Sequence, residues 1–160
     1  MGNRRAAALA FALLALSATW AGAQDFGRIV YLEGSVTFFH EGEEAYADIG
    51  TSVEPGDLVR TGANGYVELE IRTGPTTVVV AEDTVLYVEE NTARGRTETG
   101  FQLLRGDVDF VVERLVGDDS VSVRTQTVAL GVRGTEFKVR QSPDDSVVVG
   151  VTDGQVSVER

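Results

Sequence analysis

The chain has 160 residues, 42% hydrophobic and 24% charged, with eighteen glycines, three prolines and no cysteine. That apolar share is too high for a disordered chain and sufficient for one domain with a proper core, while disulfide frameworks and thiolate metal sites are excluded. The formal net charge is −11, from 14 basic and 25 acidic residues; a surface this acidic repels phosphate backbones and anionic headgroups, which argues against nucleic acid and acidic membranes as partners.

In chain order the first element is an address. Met1 to Arg5 carries two positive charges, Ala6 to Leu16 is an unbroken apolar run, and Ser17 to Ala23 is small and polar apart from Trp20. This is the pattern of a secretory signal peptide over residues 1–23, with Ala21 and Ala23 as the small residues of an A-x-A cleavage site. The apolar run would rise about 17 Å as a helix, against roughly 30 Å of hydrocarbon, so a membrane anchor is disfavoured. Cleavage after Ala23 would leave one domain, 24–160, with 12 basic and 25 acidic residues and a net charge of −13. The expected location is the periplasm or the medium, with no membrane insertion once the signal is removed.

From Gln24 onward there are 25 Val against 8 Leu and 6 Ala. Branched Val suits a pleated sheet and is a mediocre helix former, so the composition predicts an all-β fold. Tyr66 to Arg72, Ser120 to Arg124, Thr135 to Arg140 and Gln155 to Glu159 alternate apolar and polar residues, the mark of strands with one covered face. Thr76 to Ala81, Phe110 to Val112 and Val147 to Val151 are continuously apolar and predict strands covered on both faces. Turn signals fall between the runs, at Glu41-Gly42, Pro55-Gly56-Asp57, Ala63-Asn64-Gly65, Ser142 to Asp145 and Asp153-Gly154 among others. Glu89 to Thr99 is polar, lacks alternation and predicts an exposed loop. About a dozen short strands result, in a two-layer sandwich or an irregular β-roll. A pattern Gly-x-Val-x-apolar starts at Gly34, Gly65, Gly106 and Gly154, spaced too unevenly for a solenoid, and predicts a repeated way of entering a sheet.

Enzyme chemistry lacks parts. The one histidine, His40, falls beside the predicted hairpin tip Glu41-Gly42, where a solvated turn residue is the simpler reading, and Lys138 falls on the outward side of its strand. Asp118-Asp119 and Asp144-Asp145 offer paired carboxylates in turns without the spaced ligands of a calcium loop. No catalytic residue, metal ligand or cofactor is assigned. Arg133 stands between Gly131 and Gly134 before an alternating strand; it either folds back to pair at a sharp corner, the preferred reading, or faces an acidic partner. Phe38-Phe39 places one ring outward unless a second layer covers it, so Phe38 or Phe39 is a candidate partner contact. Tyr31, Tyr46, Tyr66 and Tyr87 join them as candidates for a glycan platform.

Read together, Gly56-Asp-Leu-Val-Arg-Thr-Gly62, Gly65-Tyr-Val-Glu-Leu-Glu-Ile71, Leu103-Leu-Arg-Gly-Asp-Val108, Val132-Arg-Gly-Thr-Glu-Phe-Lys-Val139 and Val151-Thr-Asp-Gly-Gln-Val156 resemble, in order, the FecR domain. The resemblance runs from about Ile29 to Val158. It implies an all-β periplasmic domain of an envelope regulator that senses an outer-membrane receptor, with a cytoplasmic segment gripping a sigma factor across one membrane helix. Here an export signal stands where those segments would be, and no further domain is expected after Arg160, so direct sigma-factor binding is not expected. The resulting expectation is a non-catalytic periplasmic module that binds or scaffolds an envelope protein. The alternatives are a cell-wall glycan binder, or a signalling component that reaches a sigma factor through a separate membrane protein.

Overall fold

The computed structural model describes residues 26–72, 76–93, 96–113 and 120–159, apart from the side chains of residues 92, 93, 96 and 97. The expected signal peptide and the Asp118-Asp119 turn lie outside these residues. The described residues form fourteen strands and no helix: β1 (Gly27–Glu33), β2 (Val36–His40), β3 (Glu43–Ala45), β4 (Ser52–Val53), β5 (Leu58–Thr61), β6 (Tyr66–Ile71), β7 (Thr76–Val80), β8 (Val85–Ala93), β9 (Arg96–Val112), β10 (Ser120–Arg124), β11 (Ala129–Val132), β12 (Glu136–Gln141), β13 (Val147–Asp153) and β14 (Val156–Glu159). The fold is all-β.

The strands make two sheets joined through β9. One, the first sheet, runs β4–β1–β6–β7–β9–β12–β13, and the other, the second sheet, runs β3–β2–β5–β8–β9–β10–β11–β14. Every ladder is antiparallel except β9 with β10, which is parallel. The early part of β9 pairs with β8 and β10 in the second sheet, and from Gly106 onward it pairs with β7 and β12 in the first.

The change of sheet occurs at Gly106, where φ is +98°. Only glycine adopts this conformation readily, and a Cβ here would lie 2.6 Å from Cα of Thr84. Thr84 is fully buried. Its hydroxyl accepts the Asp107 N–H at 3.0 Å and donates to the Glu82 carbonyl at 3.0 Å, while its own N–H donates to the hydroxyl of buried Thr61 at 2.9 Å. The corner therefore leaves these buried polar groups satisfied, as a stable interior requires. The Gly-x-Val-x-apolar pattern thus opens β2, β6 and β14 but falls within β9 at Gly106, where it marks a bend.

Between the sheets the inward positions form one core. Val67, Leu69 and Ile71 of β6, Val121 and Val123 of β10, and Phe137 and Val139 of β12 are buried as their alternation predicts. The rings of Phe101, Phe110 and Phe137 run in a chain across the interior, with centroids 5.3 and 5.0 Å apart and the second pair stacked. Each such ring removed from water contributes about 2–3 kcal/mol.

Two expectations are corrected. Glu89 to Thr99 is not a loop: residues on either side of 94–95 pair across a β8–β9 ribbon, Glu89 opposite Gly100 and Asn91 opposite Glu98. Its inward position at Thr99 is buried, so threonine carries the alternation that apolar residues carry elsewhere. The continuous apolar runs are covered on one face, not two, leaving Val111 and Val148 exposed on the outer face of the first sheet. The strands are otherwise short as expected, with β9 the exception at 17 residues. The outer face of the first sheet is held by cross-strand ion pairs, Arg28 with Glu70, Lys138 with Asp109 at 3.1 Å, and Arg140 with Asp107 at 2.8 Å.

Candidate functional site

The expected contact pair Phe38-Phe39 is divided by register. Phe38 faces Val59 of β5 and lies in the core with 2% exposure, so it cannot meet a partner; that expectation is corrected because the second layer covers it. Phe39 faces Leu58 on the opposite side of the sheet, half-buried, with the Arg60 guanidinium 5.1 Å above its ring centroid.

Arg133 sits exposed on the bend between β11 and β12, and it is engaged with a neighbour rather than free. The residues around it build a corner. Gly134 has φ +64° and Gly154 has φ +89°; a Cβ on Gly154 would lie 2.8 Å from the Gly134 carbonyl oxygen. Buried Thr135 donates its hydroxyl to the Gln155 carbonyl at 2.9 Å. The Arg-Gly-Thr and Asp-Gly-Gln segments thus lock the β11–β12 and β13–β14 turns together.

His40 ends β2 at the hairpin tip and is not merely solvated. Its Nδ1 lies 2.8 Å from Oδ1 of Asp57, and this bond holds the imidazole pKa above its usual value. Asp57 is buried and its other oxygen accepts the Glu54 N–H at 2.6 Å, closing the Pro55-Gly56 turn. Asp144 accepts the Ser146 N–H and hydroxyl at 3.1 and 2.7 Å, bonds that hold its pKa below the usual value. No group of three metal-ligating side chains occurs among the described residues.

On the outer face of the first sheet Tyr31, 43% exposed, meets Tyr66 edge to face at 5.8 Å. Tyr31 donates to Glu33 and Tyr66 to Glu68, and the latter bond, with burial, pushes the Tyr66 phenol up to about 12.

Two further features were not singled out by sequence. The first is a groove of about 640 Å³ on the outer face of the second sheet, lined by Phe39, Leu58, Arg60, Val85, Tyr87, Leu104 and Arg105, with Gly42 and Gly56 at its rim. Register sets Phe39 opposite Leu58 and Leu58 opposite Tyr87, making one apolar row across three strands. The apolar outward positions at Leu58, Val85 and Tyr87 were the available signal.

The second feature is the open side of the sandwich at β13 and β14. Among the described residues each pairs with one neighbour, β12 and β11 respectively. Val147, Val149 and Val151 of β13 stand opposite the buried face of β12, and Val156 and Val158 of β14 opposite that of β11. They point toward the core side, yet Val151 and Val158 remain 48% and 56% exposed. From Val147 to Thr152 β13 carries no charge, so no charged side chain guards this stretch of edge, and the one irregularity in its pairing falls at its end, at Thr152.

The family described as FecR protein matches residues 57–157, and no curated protein matches the chain. Two crystal structures of a proposed anti-sigma factor from Parabacteroides distasonis, at 1.65 and 2.50 Å resolution, share the fold. Their TM-scores are 0.53 and 0.54 at 20% and 23% identity, over 64% of this chain. The present chain spans 46% of the length of each of those chains.

Proposed function

The chain belongs to the FecR protein family, and on that footing we propose that it is an exported, non-catalytic module that binds another envelope protein within a signalling system. The observation that carries this reading is the open side formed by β13 and β14. Backbone groups along the uncharged stretch Val147 to Thr152, unpaired on their outer side among the described residues, offer hydrogen bonds to an added strand, and Val151 and Val158 offer apolar surface that the strand would cover. This is recognition without a side-chain motif. The likeness to a protein described as a proposed anti-sigma factor supports a regulatory setting, with sigma-factor control reached through a separate membrane protein. The N-terminal address supports the periplasm as its location, with cleavage after Ala23.

The test is a photo-cross-linking amino acid placed at position 151 or 158, with position 77 on central strand β7 as control. The protein, expressed in its own envelope, is expected to give one adduct with an envelope protein from 151 and 158 and none from 77. Adducts absent from all positions, or equal from all three, would refute the reading.

A second reading has the Tyr31–Tyr66 pair as its specific support. Sugar rings stack on exposed aromatic faces, and Glu33 and Glu68 beside the phenols supply hydrogen-bond acceptors. Sedimentation with purified peptidoglycan decides it: loss of the protein from the supernatant, prevented by Tyr31→Ala, is the expected result for a glycan binder.

A further inference from the structure

The groove on the outer face of the second sheet has a charge opposite to that of the molecule around it. With 25 acidic residues against 14 basic ones, cations on this protein readily find carboxylates. Arg28 is matched with Glu70, Arg124 with Glu89 and Glu98, Lys138 with Asp109 and Arg140 with Asp107. Arg60 and Arg105 are the exceptions in the groove. Arg60 lies over the Phe39 ring, and neither arginine has an ion pair with a carboxylate among the described residues. Both stand opposite Val85 from the two strands that flank it, so their backbones are two strand spacings, about 10 Å, apart. Side chains as long as arginine converge over that distance on one carboxylate, or take one each.

The apolar row Phe39–Leu58–Tyr87 runs beside this pair, two residues along each strand. In an extended segment, side chains two residues apart point the same way and stand about 6.6 Å apart, the same step that separates the two rows. We propose that the groove is a docking site for an extended, acidic segment of a partner protein, in which an apolar side chain and an Asp or Glu two residues later face the sheet together. The apolar side chain lies on the Phe39–Leu58–Tyr87 row and the carboxylate meets Arg60 and Arg105. Charge selects a short segment over a polyanion, because a nucleic acid or an anionic bilayer would also meet the acidic remainder of the surface, whereas a short segment can seat its carboxylate at the two guanidiniums, away from Glu44 opposite Phe39 and Glu89 beyond Tyr87. A volume of about 640 Å³ holds two or three side chains and leaves the rest of the segment in solvent.

This inference rests on the reading of the chain as a protein-binding module, but it uses a different surface from β13 and β14. The two can fail separately: lost groove binding with intact cross-links at 151 and 158 sinks the groove alone. The test is fluorescence anisotropy of a dye-labelled peptide repeating Phe-Ser-Glu-Ser, which presents Phe and Glu on one face when extended. Control peptides carry Lys for Glu or Ser for Phe. Arg60 and Arg105 are exposed, so the double variant Arg60→Gln, Arg105→Gln is expected to keep its melting temperature. The acidic peptide is expected to bind the wild type saturably, roughly tenfold or more tightly than it binds the double variant, and to weaken with added salt. Neither control peptide is expected to bind. Equal binding to wild type and variant, or equal binding of the Lys peptide, would overturn the proposal. So would preferential binding to phosphatidylglycerol vesicles, or a self-association in sedimentation equilibrium that the double variant abolishes, which would make the occupant a second copy of the chain.

Discussion

Replacing Gly106 with Ala is expected to be among the most damaging single-methyl additions available in this fold. The residue sits at φ +98°, where an L side chain costs about 1–3 kcal/mol in backbone strain alone. The added Cβ would also lie 2.6 Å from Cα and 2.7 Å from Cβ of Thr84, a buried residue whose hydroxyl satisfies the Asp107 N–H. Backbone must move, and losing that hydrogen bond exposes a further cost of about 1–3 kcal/mol. The total is about 2–6 kcal/mol, which for a domain of this size lowers the melting temperature by roughly 5–20 °C. Gly42 supplies the control, for it has φ +82° and a Cβ there meets nothing within 4 Å. Gly42→Ala should therefore cost only the strain. Thermal unfolding of both variants by circular dichroism separates the two contributions. Equal losses for Gly106→Ala and Gly42→Ala would refute the claim that the β9 corner is held by its contact with Thr84.

Phe110→Ala removes the central ring of the Phe101–Phe110–Phe137 chain and is expected to cost about 3–5 kcal/mol in denaturant unfolding, whereas Val148→Ala on the outer face should stay within about 1 kcal/mol. The His40–Asp57 bond raises the folded-state pKa of His40 above 6.5, so its contribution is fully present below that pH and fades as pH rises through the raised value. A melting-temperature profile across this range should therefore decline toward alkaline pH, and His40→Gln should flatten that decline.

Where one chain segment suffices, the structure was legible from sequence. Val67, Leu69 and Ile71 declare their inward face by alternation, as do Phe137 and Val139, and the valine excess declares sheet over helix. The misses are matters of pairing. Alternation requires that Phe38 and Phe39 face opposite ways, but which one is inward depends on Phe38 meeting Val59, a partner in another strand. The groove needs Phe39, Leu58 and Tyr87 side by side, a juxtaposition created by two ladders and invisible to any local window. Val151 and Val158 read correctly as strand residues; that their strands are edges is a property of the whole topology. Glu89 to Thr99 failed differently, because its buried position is filled by Thr99 and its hairpin is supported by cross-strand polar pairs, with Arg124 reaching Glu89 and Glu98. The Arg133 motif was legible as a corner through Gly134, while Gly131 stands in the regular strand β11 with ordinary space beside it.

The shared strand β9 has a mechanical consequence. Among the described strands it alone is bonded within both layers, with β8 and β10 on one stretch and β7 and β12 on the next. The groove lies across β2, β5, β8 and β9, and the two open edges are reached from β9 through β12 on one side and through β10 and β11 on the other. A shift of β9 would therefore be felt in both layers at once, because its two stretches are bonded into different sheets.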